Sequence, residues 1–297
     1  MPLRNRLHQK WLAYGAYLMA LAYVVVATAL MAAKHNSFET RVYDFARFTQ
    51  AIWNTLENGF LFETILYRSI LGDHFSAIVA LAAPLLRLVP DERLLFLIQA
   101  LNVAVAGLLL YAMFRRLRPS LAPWFLLAFF LNPALHEVTL FEVRRIVFAL
   151  PFLALALYAL SQKRRWLMLV GLLLALLAKE NVGFFVFMIG LYLLIFERDR
   201  KWGAGLMGLG LSWLVVISVW VIPYNNPSAG GLRPTSAWRP GERLRDVYYL
   251  TVPPDTAPGA YSLDVVVYDT HTQEVVPFQA AGEALTIAPV LVQRGSD

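Results

Sequence analysis

Apolar positions fill residues 1–223 in long unbroken runs, whereas 224–297 set short apolar stretches between Pro, Gly, Thr, Asp and Tyr. Residues 11–33 are 23 consecutive uncharged positions and 94–114 are 21 more. At about 1.5 Å per helical residue, either run covers a hydrocarbon core roughly 30 Å thick, so both predict membrane-spanning helices. A secretory signal would have a shorter apolar stretch, about 7–15 residues, ahead of a small-residue cleavage site, so 11–33 is expected to remain as an anchor. A long run follows at 203–222, and four shorter ones lie near 119–135, 146–162, 166–178 and 181–196. The pattern predicts an α-helical polytopic membrane domain of about seven transmembrane helices. The apolar stretch 74–86 has only 13 residues, which suits an interfacial or re-entrant helix.

Charge fixes the expected orientation. The chain carries a formal net charge of +6, which by itself would admit a nucleic-acid partner. The basic residues, however, cluster between apolar runs: Arg4, Arg6 and Lys10; Arg115, Arg116 and Arg118; Lys163, Arg164 and Arg165; Arg198, Arg200 and Lys201. This is the positive-inside pattern, so the excess is explained by topology and no nucleic-acid partner is expected. The N-terminus is then cytoplasmic, 34–93 is an outer loop, and the C-terminal region lies outside. There is no cysteine, hence no disulfide, thiol nucleophile or Cys metal site.

The boundary near Pro223 opens a turn-rich linker, 224–237, ahead of a small all-β domain at 238–297. Asp246–Val252, Tyr261–Tyr268, Glu274–Phe278 and Leu285–Val292 carry β-branched and aromatic residues between Pro and Gly breaks, the signature of short antiparallel strands.

Candidate chemistry concentrates in the expected outer segments. Projected at about 100° per residue, 42–58 places Asp44, Arg47, Gln50, Asn54, Glu57 and Asn58 on one face, with Phe45, Phe48, Ile52, Trp53 and Leu56 opposite. Such a helix should lie along the membrane surface; its polar face is either simply solvated or, at Asp44, overlooks a pocket. Asp73-His74 pairs a carboxylate with an imidazole, a combination that can orient the ring, bind a metal or accept a proton; a capping role explains His74 equally well. His136 and Glu137 form a similar pair. Glu142, Arg144 and Arg145, and Lys179-Glu180, sit beside apolar runs, where charges pair with one another, snorkel or face a polar cavity. Arginine's planar fork suits phosphate or pyrophosphate. No HExxH, Gly-rich phosphate loop or serine nucleophile elbow occurs.

The string Tyr43-Asp44, Gln50, Trp53-Asn54, Gly72-Asp73-His74-Phe75-Ser76, Pro84, Gln99, Asn132-Pro133, Phe141-Glu142, Pro151 and Lys179-Glu180 resembles a family of predicted polytopic prokaryotic membrane proteins. That family is itself similar in architecture to the GT-C glycosyltransferases, which use polyprenyl-phosphate sugars. The resemblance covers about 11–223. It implies that Asp44, following the first span, matches the acidic residue that acts as base or assists a metal ion. It also implies that Asp73 and His74 lie near the donor and that Lys179 lies near the lipid phosphate. Gln50, Glu142, Arg144, Arg145 and Glu180 complete the expected substrate site. The chain has Thr49 where the pattern commonly has a second acid, Arg144-Arg145 in place of a His-Pro, and Asn181 in place of an acid. The tail looks like a small β-sandwich module.

The expectation is therefore a GT-C-like membrane glycosyltransferase, full or shortened and inactive, in a prokaryotic plasma membrane. Its partners would be membrane lipid, a polyprenyl-phosphate sugar and a glycan acceptor. The resemblance admits a divalent cation, although no ligand set in the sequence requires one. A noncatalytic scaffold or lipid-linked-glycan binding protein is the alternative, and a transporter or flippase a third. The third fits less well, because the charges cluster at span ends rather than at the bilayer midplane.

Overall fold

The computed structural model describes residues 2–40, 42–57, 59–65, 68–222, 257–265, 267–268, 275–276 and 285–292. The chain divides into two compact units, Met1–Asp246 and Val247–Asp297.

The first unit is helical. Helix α1, Pro2–Asn36, contains the apolar span Leu12–Asn36; α4, Leu94–Leu117, and the Arg200–Val221 stretch that begins as α10, Arg200–Val216, are the other helices long and apolar enough to cross a membrane. These three match the expected spans at 11–33, 94–114 and 203–222. The basic last turn of α4, with Arg115 and Arg116, opposes the negative end of its helix dipole.

Of the intervening apolar runs, the one expected at 119–135 is broken, and those expected at 146–162, 166–178 and 181–196 form short helices. Helices α5, Ala122–Phe130, and α6, Pro133–Phe141, form a pair bent by 44°. Pro133 cannot donate a backbone hydrogen bond, so the helix breaks there. Asn132 then caps α6 by accepting from the amides of Ala134 and Leu135 at 2.9 and 3.4 Å. Helices α7, Leu150–Ser161, α8, Arg165–Leu176, and α9, Val182–Ile195, have only 12, 12 and 14 residues. Among the described residues the spans long enough to cross number three, or four with the bent pair. Helices α9 and α10 approach at glycines: a Cβ on Gly210 would lie 2.4 Å from the Gly183 carbonyl oxygen, so only a bare backbone fits that crossing.

Between α1 and α4, helix α2 spans Val42–Asn54. It is followed by a two-residue antiparallel pair, β1 at Phe62–Glu63 and β2 at Arg68–Ser69. A 3₁₀ turn at Ile70–Gly72 comes next, then a 3₁₀ segment at Ala77–Ala82 running into α3, Ala83–Leu88. The expected short helix near 74–86 is thus present in mixed form. Helix α2 stops earlier than the expected residue 58, because the chain turns at 55–57 and Gly59 adopts φ 137°, so Glu57 lies past the helix end. Its polar face is also not left to solvent. Arg47 and Asn54 are buried there, against the segment that follows.

In the second unit β3, Gly259–Val265, pairs antiparallel with β6, Leu285–Val292. Strand β4, Val267–Tyr268, pairs with β5, Val275–Val276. The expected strand 246–252 and the linker 224–237 lie outside the described residues.

Candidate functional site

Helix α2, the 70–76 turn, the α6–α7 connection and the α8–α9 connection converge on a cavity of about 220 Å³. It is lined by Asp44, Phe48, His74, the run Phe141–Ile146 and Lys179. Six of the nine residues expected from sequence, Asp44, His74, Glu142, Arg144, Arg145 and Lys179, therefore meet in one place.

The charges are arranged unevenly. Among the described residues Asp44, Arg144, Arg145 and Lys179 form no hydrogen bond or ion pair through their side chains. Asp44 stands in the first turn of α2, at the positive end of its helix dipole. The guanidinium of Arg144 lies 3.9 Å from the centroid of the Phe141 ring, and that of Arg145 lies 5.7 Å from Phe48, so aromatic faces hold both arginines without neutralising them. Burial pushes the Arg145 guanidinium below its ordinary value and Arg47 adds to this, while Asp73, Glu180 and Asp44 pull the other way. Three cations, Arg144, Arg145 and Lys179, against two carboxylates, Asp44 and Glu142, leave the cavity wall with an excess of positive charge.

Two anchors hold this wall. Gln99, fully buried in α4, donates through Nε2 to the carbonyls of Thr139 and Glu142, both at 2.7 Å. Its Oε1 accepts from the Arg144 amide at 2.6 Å. The backbone that carries Arg144 and Arg145 is thereby fixed to a membrane span. On the opposite side, Glu180 accepts from His74 Nδ1 at 2.9 Å and from the Phe75 amide at 3.1 Å. Burial alone would raise the Glu180 carboxyl, but the His74 hydrogen bond, a backbone hydrogen bond and the His74 and Lys179 charges together hold it below the usual value. An ionised Glu180 fixes His74 as the Nδ1–H tautomer.

Asp73, Gln50 and Glu180 are not on the cavity wall. Asp73 accepts from Arg47 Nη2 at 2.6 Å through one oxygen and from Arg68 through the other. Arg47 also meets the fully buried Glu63 at 3.0 Å. Burial lowers the Arg47 guanidinium, yet the hydrogen bonds and charges of Asp73 and Glu63 outweigh it and hold the group above its ordinary value. Gln50 exchanges hydrogen bonds with Thr64, at 2.8 Å to its hydroxyl and 2.9 Å from its amide, and so pins β1 to α2. His136 donates to the carbonyl of Phe130, which the break at Pro133 leaves without its helical partner. Its neighbour Glu137 is exposed, and neither lines the cavity. Among the described residues no three His, Asp or Glu side chains gather as a metal-ligand group.

Sequence reasoning assigned no task to Gln99, Glu63 or Arg68. Gln99 carried a signal, since a polar side chain inside a 21-residue uncharged run is costly unless it has partners. Glu63 and Arg68 carried none, because their pairing depends on a fold-level contact with α2.

A helical membrane protein with a cationic, partly enclosed cavity at the connections between its helices is the class that fold and site define. The chain belongs to the predicted membrane protein family DUF2079, whose model matches residues 34–237. No curated protein and no solved structure matches it.

Proposed function

We propose that this protein is a GT-C-like glycosyltransferase that moves a sugar from a polyprenyl-phosphate carrier to a glycan acceptor at the outer face of a prokaryotic plasma membrane. The observation that carries the reading is the cavity in which Arg144, Arg145 and Lys179, none of them in a side-chain ion pair, outnumber the carboxylates of Asp44 and Glu142. A polyprenyl-phosphate sugar is a phosphodiester with one negative charge. When its C1–O bond breaks, the electron pair stays on the phosphate, which becomes a dianion. A wall with an excess of positive charge stabilises the dianionic leaving group more than the intact donor, and that difference is what lowers a barrier. The acceptor hydroxyl oxygen forms the new bond to C1 and its proton passes to Asp44. His74, held by Glu180, lines the same space, while Asp73 acts at a distance by holding Arg47 and Arg68.

In this reading the basic clusters are cytoplasmic, the β-rich unit is outside, and the short helices α7–α9 are also embedded. They thin the bilayer where the cavity opens and raise the crossings toward seven. A second reading, a noncatalytic binder of lipid-linked glycans, is favoured by Thr49: its hydroxyl is buried without a hydrogen-bond partner where the resembled pattern commonly has a second acid. Transfer of radiolabelled sugar from polyprenyl phosphate, measured with membrane expression for wild type and Asp44→Asn, separates the two. Loss of a positioned base lowers rates by about 10²–10⁴-fold. Equal transfer removes Asp44 as base, and no transfer by wild type leaves the binding reading.

A further inference from the structure

The helices that frame the cavity have a second, opposite end. Helix α7 starts next to the cavity residues Arg145 and Ile146 and turns at 162–164 into α8, which returns toward Lys179. Helix α9 then leaves again and turns at 196–199 into α10. The two turns meet. Arg165, largely buried, donates to Glu197 and, at 3.2 Å, to Asp199, and the rings of Trp166 and Trp202 pack edge to face at 5.2 Å. Both turns have one backbone shape: Lys163 and Arg198 each adopt φ 55°, and the residues after them, Arg164 and Asp199, both lie at φ −87°, with ψ 77° and 81°. The Arg164 amide donates to the Ala159 carbonyl at 2.9 Å and the Asp199 amide to the Leu193 carbonyl at 3.0 Å, which closes each turn. Arg116, at the end of α4, joins the same face through Gln162 and lies 5.5 Å from the centroid of the Tyr158 ring.

Charge at these turns is one-sided. Lys163, Arg164, Arg165, Arg198, Arg200 and Lys201 meet only two carboxylates, Glu197 and Asp199, and Arg165 takes both. The other five basic residues are exposed and form no ion pair among the described residues. Their surroundings point to the occupant. Trp166 and Phe196, beside the same two turns, are 74% and 73% exposed, and Trp124 near the start of α5 is 69% exposed. Large aromatic side chains at the ends of apolar helices sit at headgroup level. Helices α7, α8 and α9, of 12, 12 and 14 residues, cover only about 18–21 Å at ~1.5 Å per residue. A hydrocarbon core ~30 Å thick thins around such helices, which draws headgroups onto the turns.

We propose that the α7–α8 and α9–α10 turns form a binding surface for anionic phospholipid, with headgroup phosphates among Lys163, Arg164, Arg198 and Arg200 and acyl chains against Trp166 and Phe196. The surface needs α7–α10 to be embedded and does not depend on the chemistry of the cavity at the other end. Charge selects the headgroup. Phosphatidylglycerol brings one negative charge, whereas phosphatidylcholine brings a cation of its own to a surface that already has an excess.

Purified full-length protein in neutral detergent, titrated with diacyl phosphatidylglycerol or diacyl phosphatidylcholine and read by native mass spectrometry, tests this. Wild type should bind phosphatidylglycerol at least about tenfold more tightly than phosphatidylcholine. Arg164→Gln/Arg198→Gln, at exposed and unpaired positions, should erase most of that margin, and Lys163→Gln/Arg200→Gln should repeat the loss. Arg4→Gln/Arg6→Gln removes the same charge elsewhere and should keep the margin. Equal binding of the two lipids by wild type overturns the surface. An equal loss in the Arg4/Arg6 variant also overturns it, because net charge alone then explains the preference. Embedding is read separately, in nanodiscs of phosphatidylcholine brominated on its acyl chains, where the quenched share of tryptophan emission should fall in Trp166→Phe. An unchanged share would place Trp166 away from the acyl chains and overturn the headgroup-level placement, whatever the charge preference.

Discussion

Two groups of charged residues lie side by side at one end of this fold, built from the same residue types and from neighbouring positions, and they differ in one respect. Arg47, Glu63, Arg68 and Asp73 are buried or largely buried and bonded to one another. Asp44, three residues before Arg47, faces a cavity with Arg144, Arg145 and Lys179 and is bonded to none of them. The first group spends its electrostatics on holding α2 to the β1–β2 segment. The second leaves charge available to a ligand. Function at such a site is therefore read from which charges lack partners, since the mere presence of an Asp or Arg near a span end does not distinguish a brace from a binding group.

The contrast breaks most sharply at Glu63, which is fully buried. Glu63→Ala leaves Arg47 with part of its charge uncompensated, and removal of one partner from a buried ion pair costs about 3–5 kcal/mol. Denaturation in detergent should show that loss, while Asp44→Ala in the same assay should stay within about 0.5 kcal/mol of wild type. Equal effects at the two positions would erase the distinction between them.

Gln99 ties the two behaviours together, being a fully satisfied side chain that positions unsatisfied ones. Gln99→Leu strands the carbonyls of Thr139 and Glu142 and the amide of Arg144, at about 1–3 kcal/mol for a buried group left unpaired. It should also weaken phosphate binding, because Arg144 and Arg145 lose their fixed backbone. Stability loss with unchanged binding would show that the α6–α7 connection needs no such anchor.

A smaller effect sharpens the comparison at the cavity edge. The Glu180 carboxyl is held below its ordinary value of 4.5, so its contribution to stability is fully present above that pH and is lost as pH falls through the lower folded value. His74 is half exposed, and the pair is worth below about 1 kcal/mol after solvent screening. His74→Gln should flatten this acid-side loss, as read from melting temperatures between pH 6 and pH 3. An unchanged profile would mean that Glu180 owes its ionisation to groups other than His74.

Much of this arrangement was legible before folding. The spans in α1, α4 and α10 follow from uncharged runs whose length alone matches a bilayer, and α2 follows from its 3.6-residue period. Asp44, His74, Arg144, Arg145 and Lys179 were legible as chemistry because charges beside apolar runs need a reason. What sequence did not carry was pairing. Nothing local marks Asp73 as bound by two arginines, or Gln50 as a tie to Thr64, since those contacts join α2 to residues 14–26 positions away. The end of α2 at Asn54 was missed because the periodicity continues past the turn that Gly59 makes possible. The short lengths of α7–α9 follow the runs expected at 146–162, 166–178 and 181–196, which end at the charged stretches Lys163–Arg165, Lys179-Glu180 and Glu197–Lys201.

The most direct measurement is binding of a long-chain polyprenyl monophosphate to wild type and to the double variant Arg144→Met/Arg145→Met, with melting temperature recorded on the same detergent samples. Each charge-assisted contact to phosphate is worth about 1.5–3 kcal/mol, so the account predicts a fall in affinity of at least about 100-fold with little change in melting temperature. Retained affinity in the double variant would contradict it.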